Sequence, residues 1–329
     1  MFLQRDTTAL LRDPIFALLA VAFSASVLHS QPPAQPSDTA VPAEVVDLDE
    51  SDKSVAAASL LAAPPELYAV DLEIAERLGK LIYVKDQLER EAAAVLEIVG
   101  NAGIVGNAGI GGDAERLEVP DHSIVVARQG RWIVRFVHGA GEALASSIDV
   151  SFGEDGTADV DVHQPPIALE PEGRNMLRAK LTAEAAMPFT CAESYRSLVL
   201  PSPTGKGWVV YSFPRVENPA RLALGGHFKA SLSRNGTRLD GIEILSRCHE
   251  VTIDPSSGVP LDFEEPSKGH SEELWVMHMG SPIPAEIDVY LSLLHGLSLT
   301  VGTWSGAWSV EGGAIEFLHT WTQKRSAPP

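Results

Sequence analysis

Apolar residues recur every seven positions from Leu67 through Ile74, Leu81 and Leu88 to Val95, and Val70, Leu78, Val84, Ala92 and Val99 widen that stripe into a face. This spacing predicts a long amphipathic helix over residues 66–99, opened after Pro64-Pro65 and closed where glycines begin. Asp86, Arg90 and Glu97 fall on its expected polar side. A seven-residue period admits a coiled-coil dimer as well as packing against a sheet of the same chain. Charges do not flank the seam regularly, which favours packing in cis, while an oligomer through the 67–99 helix stays open.

From about Val119 the period shortens to two, and all six tryptophans lie beyond this point. Runs at 123–128 and 131–137 flank Gln129-Gly130 as a hairpin, with Trp132, Val134 and Phe136 on one face and Arg131 and Arg135 on a solvated one. A second hairpin joins 148–152 to 158–162. Glu170-Pro171 opens a helix with Leu177, Leu181 and Ala185 on one side and Pro188 after its end. Strands are expected at 197–200, 208–213, 227–234 and 237–246, the last two joined by Asn235-Gly236 and the last bulged at Gly241. More are expected at 274–279, 287–293, 299–304 and 307–310. The fold class is therefore α+β: an antiparallel β-rich core domain over 119–321, with a long N-terminal amphipathic helix and one further helix.

The start of the chain changes the setting. An apolar run from Ile15 to Phe23 follows two arginines and precedes Ser24-Ala25-Ser26, the layout of an export signal, assigned to residues 1–30. Cleavage leaves no stable membrane span, although a retained anchor is the alternative. Residues 31–65 are rich in proline, alanine and acids and read as a disordered tether. Residues 100–118, holding a tandem glycine-asparagine-alanine repeat, read as a linker, and 322–329 as a tail. Residues 254–273 are polar and acidic, a surface loop long enough to act as a lid. The expected location is periplasmic or secreted. In that oxidising setting the only two cysteines, Cys191 and Cys248, are expected to pair as a structural disulfide.

With 44 acidic against 25 basic residues the formal net charge is -19, which opposes nucleic acid and anionic membrane surfaces as partners. No Cys-x-x-Cys, His-Glu-x-x-His, Gly-x-Ser-x-Gly or Walker spacing occurs, and no cofactor or metal is expected. Asp149, Asp159, Asp161 and His163 share one face of the second hairpin, where pairing with Arg131 and Arg135 is favoured over calcium. The best acid-base constellation by residue type is His278, Glu286, Asp288 and His295. Along the expected strand 287–293, parity splits it between two faces, and one face cannot present all four without a bulge. His278, among apolar neighbours, then reads as an interior histidine.

Gly79-Lys80-Leu81-Ile82-Tyr83, Trp208-Val209-Val210-Tyr211, Gly225-Gly226-His227-Phe228, Ser246-Arg247-Cys248 and Val289-Tyr290-Leu291-Ser292-Leu293 together resemble a group of uncharacterised exported bacterial proteins. The resemblance covers the long helix and the chain from about Arg174 onward. It implies an extracytoplasmic location and a paired-cysteine fold, and no activity. Two functional expectations follow. The first is a non-catalytic exported module that binds a protein partner or small ligand. The second is an extracytoplasmic hydrolase using His227, His278 or His295 with Asp288.

Overall fold

The computed structural model describes residues 65–101, 120, 122–139, 143–153, 155–216, 218, 220–252, 274–278 and 280–321. The export signal, nearly all of the tether and glycine-rich linker, the acidic loop at 254–273 and the tail lie outside the described residues. In chain order, a 3-10 turn at Pro65–Tyr68 leads into α1 (Ala69–Asn101), then β1 (His122–Arg128), β2 (Arg131–His138), β3 (Ala145–Phe152) and β4 (Ala158–Ala168). Next come α2 (Pro171–Ala185), β5 (Tyr195–Pro201), β6 (Gly207–Pro214), β7 (Arg221–Ala223), β8 (Phe228–Ser233), β9 (Leu239–Ile244) and β10 (Glu250–Thr252). The chain finishes with β11 (Leu274–His278), α3 (Glu286–His295), β12 (Leu299–Thr303), β13 (Ala307–Glu311) and β14 (Ala314–His319).

These strands form an antiparallel meander β1-β2-β3-β4, a second sheet β5-β6-β8-β9, the ribbon β7-β10, and a C-terminal sheet β11-β12-β13-β14. The fold is α+β and mostly antiparallel, as the periodicity predicts. Gln129 and Gly130 turn the first hairpin with φ of 51° and 79°, the two positive values that a type I′ turn requires. In the hairpin of β8 and β9, Ser231 faces Gly241 and Leu232 faces Leu239, so the expected bulge is present.

Both faces of the two large meanders bury side chains, while the edge strands β4 and β9 stay largely exposed. Val125, Trp132, Val134, Phe136, Ile148, Val150 and Phe152 bury against Val84, Leu88, Ala92 and Leu96 of α1. On the other face Ile124 and Val137 meet Met176 and Leu177 of α2, together with Val199, Val210 and Leu232 of the second sheet. That sheet's reverse face, with Leu198, Leu200, Val209 and Tyr211, packs on Ile82 of α1 and on Ile287, Tyr290 and Leu291 of α3. The long helix thus packs in cis, as favoured above. Leu67 and Val70 stay 70% exposed at its start and Ile98 63% at its end.

Between the unpaired edges of β1 and β5 lies a buried ammonium. Lys85 Nζ donates to the carbonyls of Val125 (3.0 Å) and Val199 (3.1 Å), so one side chain serves two strand edges that do not pair with each other. Burial pushes its pKa down to about 8, opposed by Glu89 and Glu172.

Four expectations are corrected. Asp86, placed on the polar side of α1, is fully buried, because α3 and β5 pack over the side of the helix opposite the first meander. Its carboxylate accepts from Arg90 Nε (2.7 Å), Arg196 Nη1 and Tyr290 Oη (3.1 Å). The face expected to be wet on β2 is so only at its start: Arg131 is exposed, whereas Arg135 is buried and pairs with Asp149 and Glu170. Residues 287–293 belong to α3 and not to a strand, so β11 and β12 join through a helix and pair in parallel. Ile287, Tyr290, Leu291 and Leu294 satisfy helical spacing as well as Ile287, Val289, Leu291 and Leu293 satisfy alternation, a tie that apolar periodicity cannot break in a short buried segment. The ends decide it: Asp288 Oδ2 accepts from Ala285 N (2.8 Å) at the start, and Gly296 takes a left-handed φ of 63° at the finish. Finally, β7, β10 and β14 are additional strands, two of them only three residues long.

α1 and α3 approach closely at Gly79, where a Cβ would lie 2.5 Å from Val289 Cβ and 2.6 Å from the Glu286 carbonyl oxygen. In a free helix glycine-to-alanine gains about 1 kcal/mol. Here Gly79→Ala should instead destabilise by about 1–3 kcal/mol in urea unfolding, because two backbones must part. Asp86→Ala leaves Arg196 and Tyr290 without their buried acceptor and should cost about 3–5 kcal/mol by the same measurement.

Candidate functional site

The residue cluster richest in chemistry surrounds the N-terminus of α3. β11 ends at His278, and Ser281 folds the connection by donating from Oγ to the Ile283 carbonyl (2.7 Å). Asp288, at the third helical position, divides its two oxygens. Oδ2 caps Ala285 N, and Oδ1 lies 2.8 Å from His278 Nε2, with both side chains buried. Burial alone would lower the His278 pKa, but the Asp288 carboxylate and a bond to the Leu245 carbonyl outweigh it and hold the pKa above its ordinary value.

His227 stands across the Leu245-Ser246 segment, its Nδ1 3.0 Å from Ser246 Oγ and its carbonyl accepting from Leu245 N. Burial, with the nearby His278 and His295, pushes its pKa down to about 3, so it is a neutral ring and a weak base. Glu286, one turn edge from Asp288, accepts from Tyr211 Oη (2.6 Å) and pairs with Lys229 Nζ at 2.5 Å. Burial would raise its pKa, yet Lys229 and Tyr211 together bring it below the ordinary carboxylate value. Burial and that same carboxylate push the Tyr211 phenol well up.

Of the four sequence candidates, the structure joins His278 to Asp288 and sets His227 beside them, while His295, at the far end of α3, stays off that pair yet near enough to His227 to lower its pKa. Seven residues of helix carry His295 roughly 10 Å along the axis from Asp288. There it neighbours Arg90 and Asp86. Crowding around its ring and then Arg90 lower its pKa to about 4, although the residue as a whole is exposed. The parity objection disappears once 286–295 is helical, because Glu286 and Asp288 then need not share a face.

Tyr211, Lys229, Ser246 and Asp86 were not anticipated. Recognising Asp288 as the cap of a helix ending at Gly296 would have pointed to the acidic first turn. Nothing in the local pattern marks Tyr211, which occupies an ordinary core-facing position of β6. The geometry resembles a hydrolytic triad only by residue type: Ser246 meets the Nδ1 edge of His227, and the carboxylate serves a different histidine.

In the second cluster Asp161 is exposed, and the other carboxylates lie against basic side chains. Arg131 binds Asp159 (2.9 Å), while Asp149 takes Arg135 (3.2 Å), His163 (3.4 Å) and Ser146 Oγ (2.6 Å). Among the described residues no three His, Cys, Asp or Glu side chains are placed to hold a metal ion, and no helix is long and apolar enough to cross a membrane. Cys191 and Cys248 are bonded, with Cα atoms 5.5 Å apart and a sequence separation of 57.

The histidines set opposite pH responses. His227 is lowered from 6.5 to about 3 on folding, so between those values the unfolded chain binds more protons and acidification destabilises the protein. His278 is raised, so its contribution is complete below 6.5 and is lost as pH rises through its folded value. His227→Leu should therefore move the acid-unfolding midpoint to lower pH, removing a penalty on the order of a few kcal/mol. His278→Gln should instead erase stability at pH 6 more than at pH 9, read by thermal melts at both.

No protein-family model matches this chain, and no curated protein or solved structure matches it either.

Proposed function

We propose that this is an exported, non-catalytic binding module acting in the periplasm or outside the cell. The observation that carries the reading is an exposed apolar patch on the outer face of the C-terminal sheet. Trp275 is 47% exposed, Met277 55% and Trp321 42%. Met277 and Trp321 both lie over Gly302, where the Met277 thioether fills the space a Cβ would need. Trp321 is fixed by donating Nε1 to the Thr303 carbonyl (2.6 Å), and His319 meets its ring edge-on at 6.0 Å. Two exposed indoles and a thioether, with Met277 and Trp321 held over a bare glycine, suit contact with another molecule, at a cost in exposed apolar area.

The interior chemistry supports the same reading. Asp288 and His278 spend their hydrogen-bonding capacity on each other and on the backbone, Glu286 spends its own on Tyr211 and Lys229, and His227 is a poor base. The disulfide is consistent with an oxidising compartment.

Binding should be screened on peptide and glycan arrays, with wild type against the double variant Trp275→Ala, Trp321→Ala. In parallel, ester, peptide and phosphate substrates should be tested with His278→Ala and His227→Ala. The expected result is array binding lost in the tryptophan variant and no turnover that depends on either histidine. Turnover abolished by His227→Ala or His278→Ala would establish the hydrolase instead. Mass spectrometry of the native protein from fractionated cells should find a chain shortened near Ser26 or Ser30, outside the cytosol.

A further inference from the structure

The disulfide occupies the wall of an open cleft. A cavity of about 460 Å³ is lined by Cys191 and Cys248 together with Glu193, Arg215, Arg221 and His249 among others. The two sulfurs are not equivalent. Cys191 is half-buried, and its side chain packs on Gly226, where a Cβ would come within 2.7 Å of Cys191 Sγ and 3.2 Å of Pro214 Cγ. Cys248 is exposed. A nucleophile must approach an attacked sulfur opposite the one that leaves, so access selects which half of the bridge reacts.

The segments that the bridge joins are also held without it. On the Cys248 side, Leu224 N (2.9 Å) and Gly225 N (3.0 Å) donate to the His249 carbonyl, and Gly226 N donates to that of Arg247 (3.0 Å). On the Cys191 side, Cys191 N donates to Tyr195 Oη (2.9 Å), Arg215 N donates to the Ser194 carbonyl (2.9 Å), and Phe189 sits edge-on to Phe228 at 5.1 Å. Opening the bridge therefore breaks one bond between two anchored segments.

We propose that Cys191–Cys248 is an exchangeable disulfide whose Cys248 sulfur is the point of attack by a dithiol partner entering this cleft. A thiolate of the dithiol bonds to Cys248 Sγ as the Cys191–Cys248 bond breaks, and Cys191 departs as a thiolate that takes up a proton. The dithiol's second thiol, on losing its proton, displaces Cys248 as a thiolate that takes up a proton in turn, and closes the partner's own disulfide. Two electrons and two protons pass from the dithiol, which is oxidised, to the bridge, which is reduced. Arg215 and Arg221 line the same cleft, where cationic groups favour thiolates, and Glu193 and Glu250 temper them. This goes beyond the binding reading and does not rest on it.

The full oxidised protein should be exposed to reduced glutathione, quenched by alkylation and mapped by mass spectrometry, and separately reduced with dithiothreitol under native conditions. The expected adduct is predominantly on Cys248. The dithiothreitol rate should rise in proportion to its concentration, equally in wild type and in the destabilised Gly79→Ala, and the reduced protein should keep its circular dichroism. An adduct chiefly on Cys191, a rate that saturates and quickens in Gly79→Ala, or loss of folded signal on reduction would overturn the proposal. The saturating rate would show a bridge reached only through unfolding, and the lost signal one on which the fold depends.

Discussion

A single carboxylate with no access to water ties the molecule together. Asp86 sits on α1, Arg196 on β5 and Tyr290 on α3, and the three meet at Asp86 with Arg90 closing the set. An unpaired charge at such depth would cost far more than it returns, so the three elements can pack only in the arrangement that brings the donors in. Gly79 enforces the same geometry sterically, letting α1 and α3 touch backbone to side chain about two turns earlier along the long helix.

α3 extends this logic at its other polar positions. Glu286 reaches the second sheet through Tyr211 and Lys229, Asp288 reaches β11 through His278, and Tyr290 reaches α1 through Asp86. A ten-residue helix thereby links the second meander, the C-terminal sheet and the long helix. Groups that look catalytic in a list of residue types act here as cross-links. Their displaced pKa values arise from burial and pairing, which is why a perturbed pKa is evidence of a site only when an approach for substrate accompanies it. The features that do face outward are of a different kind: the indole and thioether patch over Gly302, and the cleft beside Cys248.

Much of the architecture was legible in the chain. Period-two runs, Gln129-Gly130, Asn235-Gly236 and Glu170-Pro171 placed the two meanders and α2, because turn residues and alternation act locally. The long helix was legible too, but its buried side was not. A heptad stripe describes a helix with one partner, whereas α1 has a sheet on one side and α3 with β5 on another, so Asp86 and Lys85 turn inward between the apolar rows. Residues 286–295 failed for a related reason: a short helix covered nearly all round loses the polar face that distinguishes it from a strand.

The sequence by itself determined the α+β class, the hairpins, and the availability of two cysteines to pair, since each depends on neighbours in the chain or on composition. Only the tertiary structure decided that His278 answers to Asp288, that His227 answers to Ser246 while His295 stands apart, and that Cys248 is the open half of the bridge. Those are contacts between residues ten to dozens of positions apart, or exposures set by what packs alongside. No local pattern encodes them, because the energy that selects them comes from burying many side chains at once.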